Sequence, residues 1–295
     1  MKNINFKGLL VFIMLFPAMI FAQEPIKLLS GLENGTYYHL AMDIAANSTQ
    51  PIEVMVSGGS VENFNLVMEE NDINIAFMQY DVLMTNKLIN SKLSDEVRVL
   101  FPLFLDEEIH LISKKGSKIT QLKHLKGKKV GIGSIGQGAH VTAMNIKNKT
   151  GIDWEDVEIN SNDALKALLD GEIDAYFYVG GLPVKSLEVL ADTTQIQLVN
   201  IKHKSLKDTY KSKKIEGGTY KWQSKKVSTY AVPTLIVVKV KNMTPELEKQ
   251  VNKLLEDINA NLQKMQKNGH PKWSSVYYQN QDIDWPYYYA KARVD

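Results

Sequence analysis

The run Gly131-Ile132-Gly133-Ser134-Ile135-Gly136 has the spacing G-x-G-x-x-G, in which glycines let backbone amides close on a phosphate-bearing ligand. A dinucleotide site also needs a second strand ending in an acid about 20 residues further on. Asp153 to Glu158 falls near that distance, but its opening Asp153-Trp154-Glu155-Asp156 reads as a turn. The glycines therefore point to close backbone approach to a different ligand. Six histidines, at 39, 110, 124, 140, 203 and 270, show no metal-ligand spacing, and the chain has neither cysteine nor an H-E-x-x-H pattern. His39 and His140 lie near expected helix starts, where a packed imidazole and a ligand contact are both open. No G-x-S-x-G elbow occurs, and no Ser-x-x-Lys stands out at a helix start. The pairs Glu69-Glu70 and Glu107-Glu108 lie in the last turns of a helix and beside a β stretch, and both read as surface charge. The expectation is a chain that binds rather than transforms its ligand, with no cofactor and no metal.

Arginine is scarce: only Arg98 and Arg293 occur, and neither lies in a glycine turn. A bidentate guanidinium clamp on a carboxylate is thus poorly supplied. An anionic ligand would have to be held by backbone N–H groups at helix N-termini, helped by hydroxyl and amide side chains. Thr36, Ser60 and Gly138 each open an expected helix with such groups nearby.

The elements that must position these turns show a repeat. Met68 to Phe77 aligns with Leu168 to Phe177, one hundred residues on; each copy ends an amphipathic helix, places Asn71 or Gly171 at the helix stop, and starts a strand. Upstream, Ile52 to Val56, the turn Ser57-Gly58-Gly59-Ser60 and the helix face Val61, Phe64, Val67 pair with Lys128 to Ile132, the turn Gly133 to Gly138 and the helix through Val141 and Met144. Strand, glycine turn, helix, strand predicts a parallel α/β unit with ligands beyond the carboxyl ends of the strands. Thr36 is the expected N-cap of a helix over Tyr37 to Asn47; Thr244 and Pro245 open another whose apolar stripe from Leu247 to Met265 stops before Gly269. Ile109 to Ser113 and Tyr230 to Val240 read as crossover strands acting as a hinge. This makes residues 110–234 one lobe, inserted into a second lobe formed by 23–109 and 235–295.

Lys2 and Lys7, the apolar run Leu9 to Ile20 interrupted by Pro17, and the small residue Ala22 predict a secretory signal peptide over 1–22. The run is short for a membrane span, which needs about 20 apolar residues. Removing the two lysines leaves 33 basic against 33 acidic side chains, too balanced for a nucleic-acid partner. The lysine-rich stretch Lys202 to Lys226, with Tyr210, Tyr220 and Trp222 interleaved, reads either as a solvated loop or as a docking surface.

Seven segments carry a family resemblance: GTYYHLAMDIA at 35–45, VSGGSVENFNLV at 56–67, DINIAFMQYD at 72–81, LKHLKGKKVGIGSIGQGAHVTA at 122–143, LLDGEIDAYFYVGGLP at 168–183, EGGTY at 216–220 and HPKW at 270–273. Together they resemble the solute-binding subunits of tripartite ATP-independent periplasmic (TRAP) transporters, in the TAXI family. The resemblance implies a type II periplasmic-binding-protein fold, two α/β lobes with a ligand cleft, and a dicarboxylate or an amino acid such as glutamate as ligand. Carried over, it places Thr36, Tyr37, Ser57, Gly58, Gly59, Ser60, Asn63, Gln79, Tyr80, Asp81, Gly136, Gln137, Gly138, Ala139, Val179, Gly180 and Gly181 in the cleft. Where the family usually has G-S-G-T, this chain has Gly136-Gln137-Gly138-Ala139, an amide and a methyl in place of two hydroxyls. A periplasmic monomer working with TRAP-type membrane subunits is the implied context; an ABC importer, a sensor kinase or an exported enzyme on the same framework are the alternatives.

Overall fold

Short runs of apolar residues become parallel strands here because both of their faces are covered. In the computed structural model, which describes residues 24–33, 35–70, 72–276 and 283–288, Ile26–Leu29 (β1) lies between Ile52–Met55 (β2) and Ile75–Gln79 (β3), parallel to both. The expected signal segment lies outside the described residues. Thr36–Asn47 (α1), Ser60–Glu69 (α2) and Tyr80–Ile89 (α3) follow these strands in turn, and Leu93–Glu96 (α4) leads into the long strand Val97–Lys114 (β4). The second lobe repeats the plan. Lys129–Gly131 (β5) lies between Glu155–Val157 (β6) and Ala175–Gly180 (β7), with Gly138–Thr150 (α5) after β5 and Ser161–Asp170 (α6) after β6. Lys185–Glu188 (α7), Ile196–Leu198 (β8) and Lys211–Ile215 (β9) precede the long return strand Val227–Lys239 (β10), and Pro245–Asn268 (α8) follows it.

Among the described residues the strands form one sheet in the order β2-β1-β3-β10-β4-β7-β5-β6, with β8 on β4 and β9 on β10. Each half reads second, first, third, then an antiparallel crossing strand, so the two lobes share a topology. The α2–β3 and α6–β7 units are equivalent, as the sequence repeat implies, and Gly171 takes φ 84° at the end of α6. Asn71 lies outside the described residues. The upstream pairing, however, is displaced by one unit: the topological counterpart of β5–turn–α5 is β1–turn–α1, because β6 stands between α5 and α6. The sequence conceals β6, since Glu155-Asp156-Val157 is an acidic, largely exposed edge strand without an apolar alternation.

β4 and β10 run antiparallel through both lobes, and both are longer than the stretches that signal them in the sequence. Their pairing shifts register between Val232 and Thr234, where Pro233 has no N–H to give the ladder. Hydrophobic clusters divide on either side of this point. Leu28, Leu40, Phe77, Ile236 and Leu254 pack on one face of the first half, and Leu29, Met78, Leu83 and Val237 on the other. In the second half Ile109, Val130, Ile146, Phe177 and Val232 face one way, while Ile112, Leu168, Tyr176 and Trp222 face the other. The aromatics of the lysine-rich stretch, Tyr210, Tyr220 and Trp222, are core residues, which removes them from any docking surface. No helix among the described residues is long and apolar enough to cross a membrane.

α8 closes the first lobe as its pattern predicts: Thr244 Oγ1 accepts from the Leu247 N–H, Pro245 occupies the first turn, and the stripe Val251, Leu254, Ile258 and Met265 is buried. Leu254→Ala is expected to lower unfolding stability by about 2–5 kcal/mol in urea titrations, because the strands below α8 cannot collapse into the void.

Candidate functional site

Every strand-to-helix turn in a parallel unit lies at the carboxyl end of its strand, and here the turns of both lobes face one another. Between them lies a cavity of about 90 Å³. From the first lobe it is lined by Thr36 and Tyr37 on α1, Gly58-Gly59-Ser60 ahead of α2, and Gln79 at the end of β3. The second lobe contributes Gln137-Gly138-Ala139 at the start of α5 and Val179-Gly180 at the end of β7. All of these are positions singled out by the glycine turns and the family resemblance.

Six other expected positions do not line the cavity. Asn63 is wholly buried in its lobe, where Nδ2 donates to the carbonyls of Ser30 (2.7 Å) and Phe77 (2.8 Å) and Oδ1 accepts from Ser57 Oγ (2.6 Å). Asn63 and Ser57 thus fix the turn rather than face its mouth. Tyr80 turns outward to the Asp284 carbonyl (3.0 Å), and Gly181 packs on the aliphatic stem of Lys272. The Gly136 carbonyl accepts from the Glu62 N–H (3.1 Å), a contact between lobes. Asp81 is also buried between lobes, accepting from Thr142 Oγ1 (2.7 Å) and Tyr210 OH (3.0 Å).

Conversely, Gly31, Leu32, Gly35, Ser161, Tyr178 and Glu107 line the cavity without having been singled out. Gly31 and Gly35 bracket the turn before α1, and Ser161 opens α6, so their positions follow once the strands are known. Glu107 is the correction that matters. Its pairing with Glu108 reads as surface charge, yet the two are 4% and 5% exposed, because β4 continues past them into the second lobe.

The lobes are in contact. Gly59, at φ 132°, leaves no side chain between its turn and the Gln137 backbone; a Cβ there would sit 3.6 Å from the Gln137 Cα. A Cβ on Gly138 would fall inside the Gln79 amide. Farther out, Asn145 Nδ2 donates to Thr85 Oγ1 (3.2 Å) between α5 and α3.

Charge is distributed unevenly around the cavity. α1, α2 and α5 all begin on it, and their N-caps Gly35, Gly59 and Gln137 make no side-chain cap; α6, by contrast, is capped by Asn160, which accepts from Asn162 and Asp163 N–H. The starts of three helices thus present backbone N–H groups without a side-chain cap, although the Glu62 and His140 N–H already donate to the Gly136 and Gln137 carbonyls. The Gln137 side-chain Oε1 is occupied by the Ser134 N–H (3.1 Å) and Ser161 Oγ (3.3 Å). On the hinge side, Glu107 Oε2 accepts from Tyr37 OH (2.7 Å), Thr234 Oγ1 (2.8 Å) and Gln79 Nε2 (3.3 Å). Burial pushes this carboxyl up, against the pull of those three donors and of the Lys272 charge. Glu108 is also raised by burial, and it has a cation: Lys272 Nζ lies 3.5 Å from its Oε2 and donates to the Asp106 carbonyl (2.6 Å). His110, pushed down to about 4 by burial, is held between the Glu108 carbonyl and Tyr220 OH and stays neutral.

The NMT1-like family matches residues 28–279. Among solved structures, the CA3427 gene product of Candida albicans, described as exhibiting the generic periplasmic binding protein fold, superposes with a TM-score of 0.53 at 10% identity over 86% of this chain and 82% of its own. An ancestral arginine-binding protein bound to arginine gives 0.54 at 13% identity, over 87% of this chain and 97% of its own. The periplasmic aliphatic sulphonate binding protein of Escherichia coli gives 0.51 at 12%, over 85% and 78%. At these identities the likeness is one of fold, and the fold is that of the periplasmic binding proteins: two α/β lobes joined by crossing strands.

The contact between lobes carries a pH dependence. Burial pushes Asp81 up to about 6, outweighing the bonds from Thr142 and Tyr210, and its Oδ1 has no partner. The folded protein thus holds this proton more tightly than the unfolded chain, whose Asp titrates near 3.9. The Asp81 contribution is most favourable below about pH 4 and is lost as pH rises through 6. Asp81→Asn is expected to gain about 2–3 kcal/mol over the native protein at pH 7.5 and much less at pH 4, read from urea titrations at the two pH values.

Proposed function

This chain belongs to the NMT1-like family, and we propose that it is an extracytoplasmic solute-binding receptor that closes two lobes on a small organic acid or amino acid. The observation that carries the reading is the meeting of glycine turns from both lobes over one cavity, with Gly59 against Gln137 and the Glu62 N–H on the Gly136 carbonyl. In this reading residues 23–109 and 235–295 form one lobe and 110–234 the other. β4 and β10 flex at the Val232–Thr234 register shift, where Pro233 has no N–H to give the ladder. Three uncapped helix starts supply the donors for a carboxylate that arginine does not. Export through the segment 1–22 puts the receptor in the periplasm, and the GTYY, SGGSVEN and YVGGLP segments favour a TRAP-type transporter as the membrane partner. The lining residues include no histidine, cysteine or lysine, which favours capture over catalysis.

Native mass spectrometry of protein purified without refolding is expected to find one small solute per chain. Stripping it should enlarge the radius of gyration in solution scattering, and adding it back should restore the compact form. Turnover of the solute, or a protein that neither retains nor rebinds any small molecule, would count against the receptor. Gly138→Ala places a methyl in the Gln79 amide. It is expected to leave thermal unfolding nearly unchanged while weakening the solute at least tenfold, about 1.4 kcal/mol, because the lobes no longer meet.

A further inference from the structure

Glu107 is a buried carboxylate that lines the cavity, and among the described residues it makes no ion pair. Its neighbour on the strand differs. Glu108 lies beside Lys272 Nζ and accepts from the Leu182 N–H (3.1 Å). The hydrogen bonds that Glu107 receives from described residues all fall on Oε2. They come from two hydroxyls and an amide, which orient the carboxylate without neutralising it. Buried charges are ordinarily paired, and a carboxylate left alone is costly.

Beside it lies a second acceptor without a donor. Gln79 is 3% exposed, and its Nε2 donates to Glu107, which fixes the amide with Oε1 on the other side; that Oε1 is buried with no hydrogen-bond partner. Glu107 Oε1, charged and without a donor among the described residues, and Gln79 Oε1 beside it, packed against Gly138 of the second lobe, are acceptors that an N–H group entering between the lobes would satisfy. The starts of α1, α2 and α5, which offer N–H donors, line the same cavity.

Resting on the receptor reading above, we propose that the solute carries a positively charged nitrogen, received by Glu107 Oε1 and Gln79 Oε1, and that a dicarboxylate lacking such a nitrogen is rejected. An acid group on the same molecule faces the helix starts. A second carboxylate brought to the Glu107 wall would meet like charge in a low-dielectric site, with no arginine to bridge the two. Burial that raises the Glu107 carboxyl acts in the same sense, since a cation docked there restores its ionised form.

The test uses pairs of acids that differ only in the amine, titrated by calorimetry into stripped protein at pH 7.5: L-glutamate against glutarate, and L-aspartate against succinate. The solute retained on purification is identified in parallel for a basic nitrogen. Expected are binding confined to the amine-bearing member of a pair, or a retained solute with a basic nitrogen, and at least tenfold weaker binding of that compound in Glu107→Gln. Gln79→Met serves as a second variant, removing the neutral acceptor while keeping the charge, and should weaken the same compound several-fold. Thermal unfolding of both variants establishes that they fold. Glutarate or succinate binding as tightly as its amine-bearing counterpart, a retained solute without basic nitrogen, or unchanged affinity in Glu107→Gln overturns the inference and leaves the receptor standing. Failure of any small molecule to bind removes the receptor reading and this inference together.

Discussion

The wall of the cavity that carries charge is also the place where the sheet changes register. β4 and β10 must pass from one lobe to the other, and the ladder between them cannot stay regular through Pro233. The shift at Val232–Thr234 brings Thr234 Oγ1 within 2.8 Å of Glu107. Tyr37 from α1 and Gln79 from β3 complete the hold on that carboxylate. A buried acid is tolerated on a continuous strand because three elements give it hydrogen-bond donors, and two of them, α1 and β3, also line the cavity.

The rest of the architecture serves the helix starts. Strands buried on both faces hold the glycine turns at one level, and the matching strand orders of the two lobes bring the turns together from opposite sides. Three helix starts without a side-chain cap then line the same cavity as the buried acid. The scarcity of arginine makes backbone geometry the source of positive potential, so a few glycines take on a role that side chains fill elsewhere.

Much of this was legible in the residues. Glycine turns after apolar runs, the repeat ending at Gly171 and the cap at Thr244 follow from local rules, and the structure realises each of them. The edge strand β6 was not legible, because three residues with two acids carry no periodic signal. Glu107 was concealed for a different reason. Adjacent glutamates beside a β stretch look solvated unless the strand is known to continue into a second lobe, and only tertiary contacts with Tyr37 and Thr234 reveal that both faces are covered. Asn63 erred in the opposite sense, since an amide in a family motif near a turn looks like a ligand contact until the carbonyls of Ser30 and Phe77 claim it. The motifs around 216–220 and 270–273 likewise have structural duties: Tyr220 holds His110 and the Val184 N–H, and Trp273 Nε1 donates to Asp43 (2.8 Å).

The pairing of Glu108 with Ala231 in neighbouring antiparallel strands has a consequence for modularity. The chain leaves one half of the molecule and re-enters it at points a single strand spacing apart, about 5 Å. A segment whose ends lie that close can be exchanged for another of the same build without altering the path of the host chain. The middle of the chain is thus tied to the rest through two neighbouring strands, and its ends impose no span that a replacement would have to bridge.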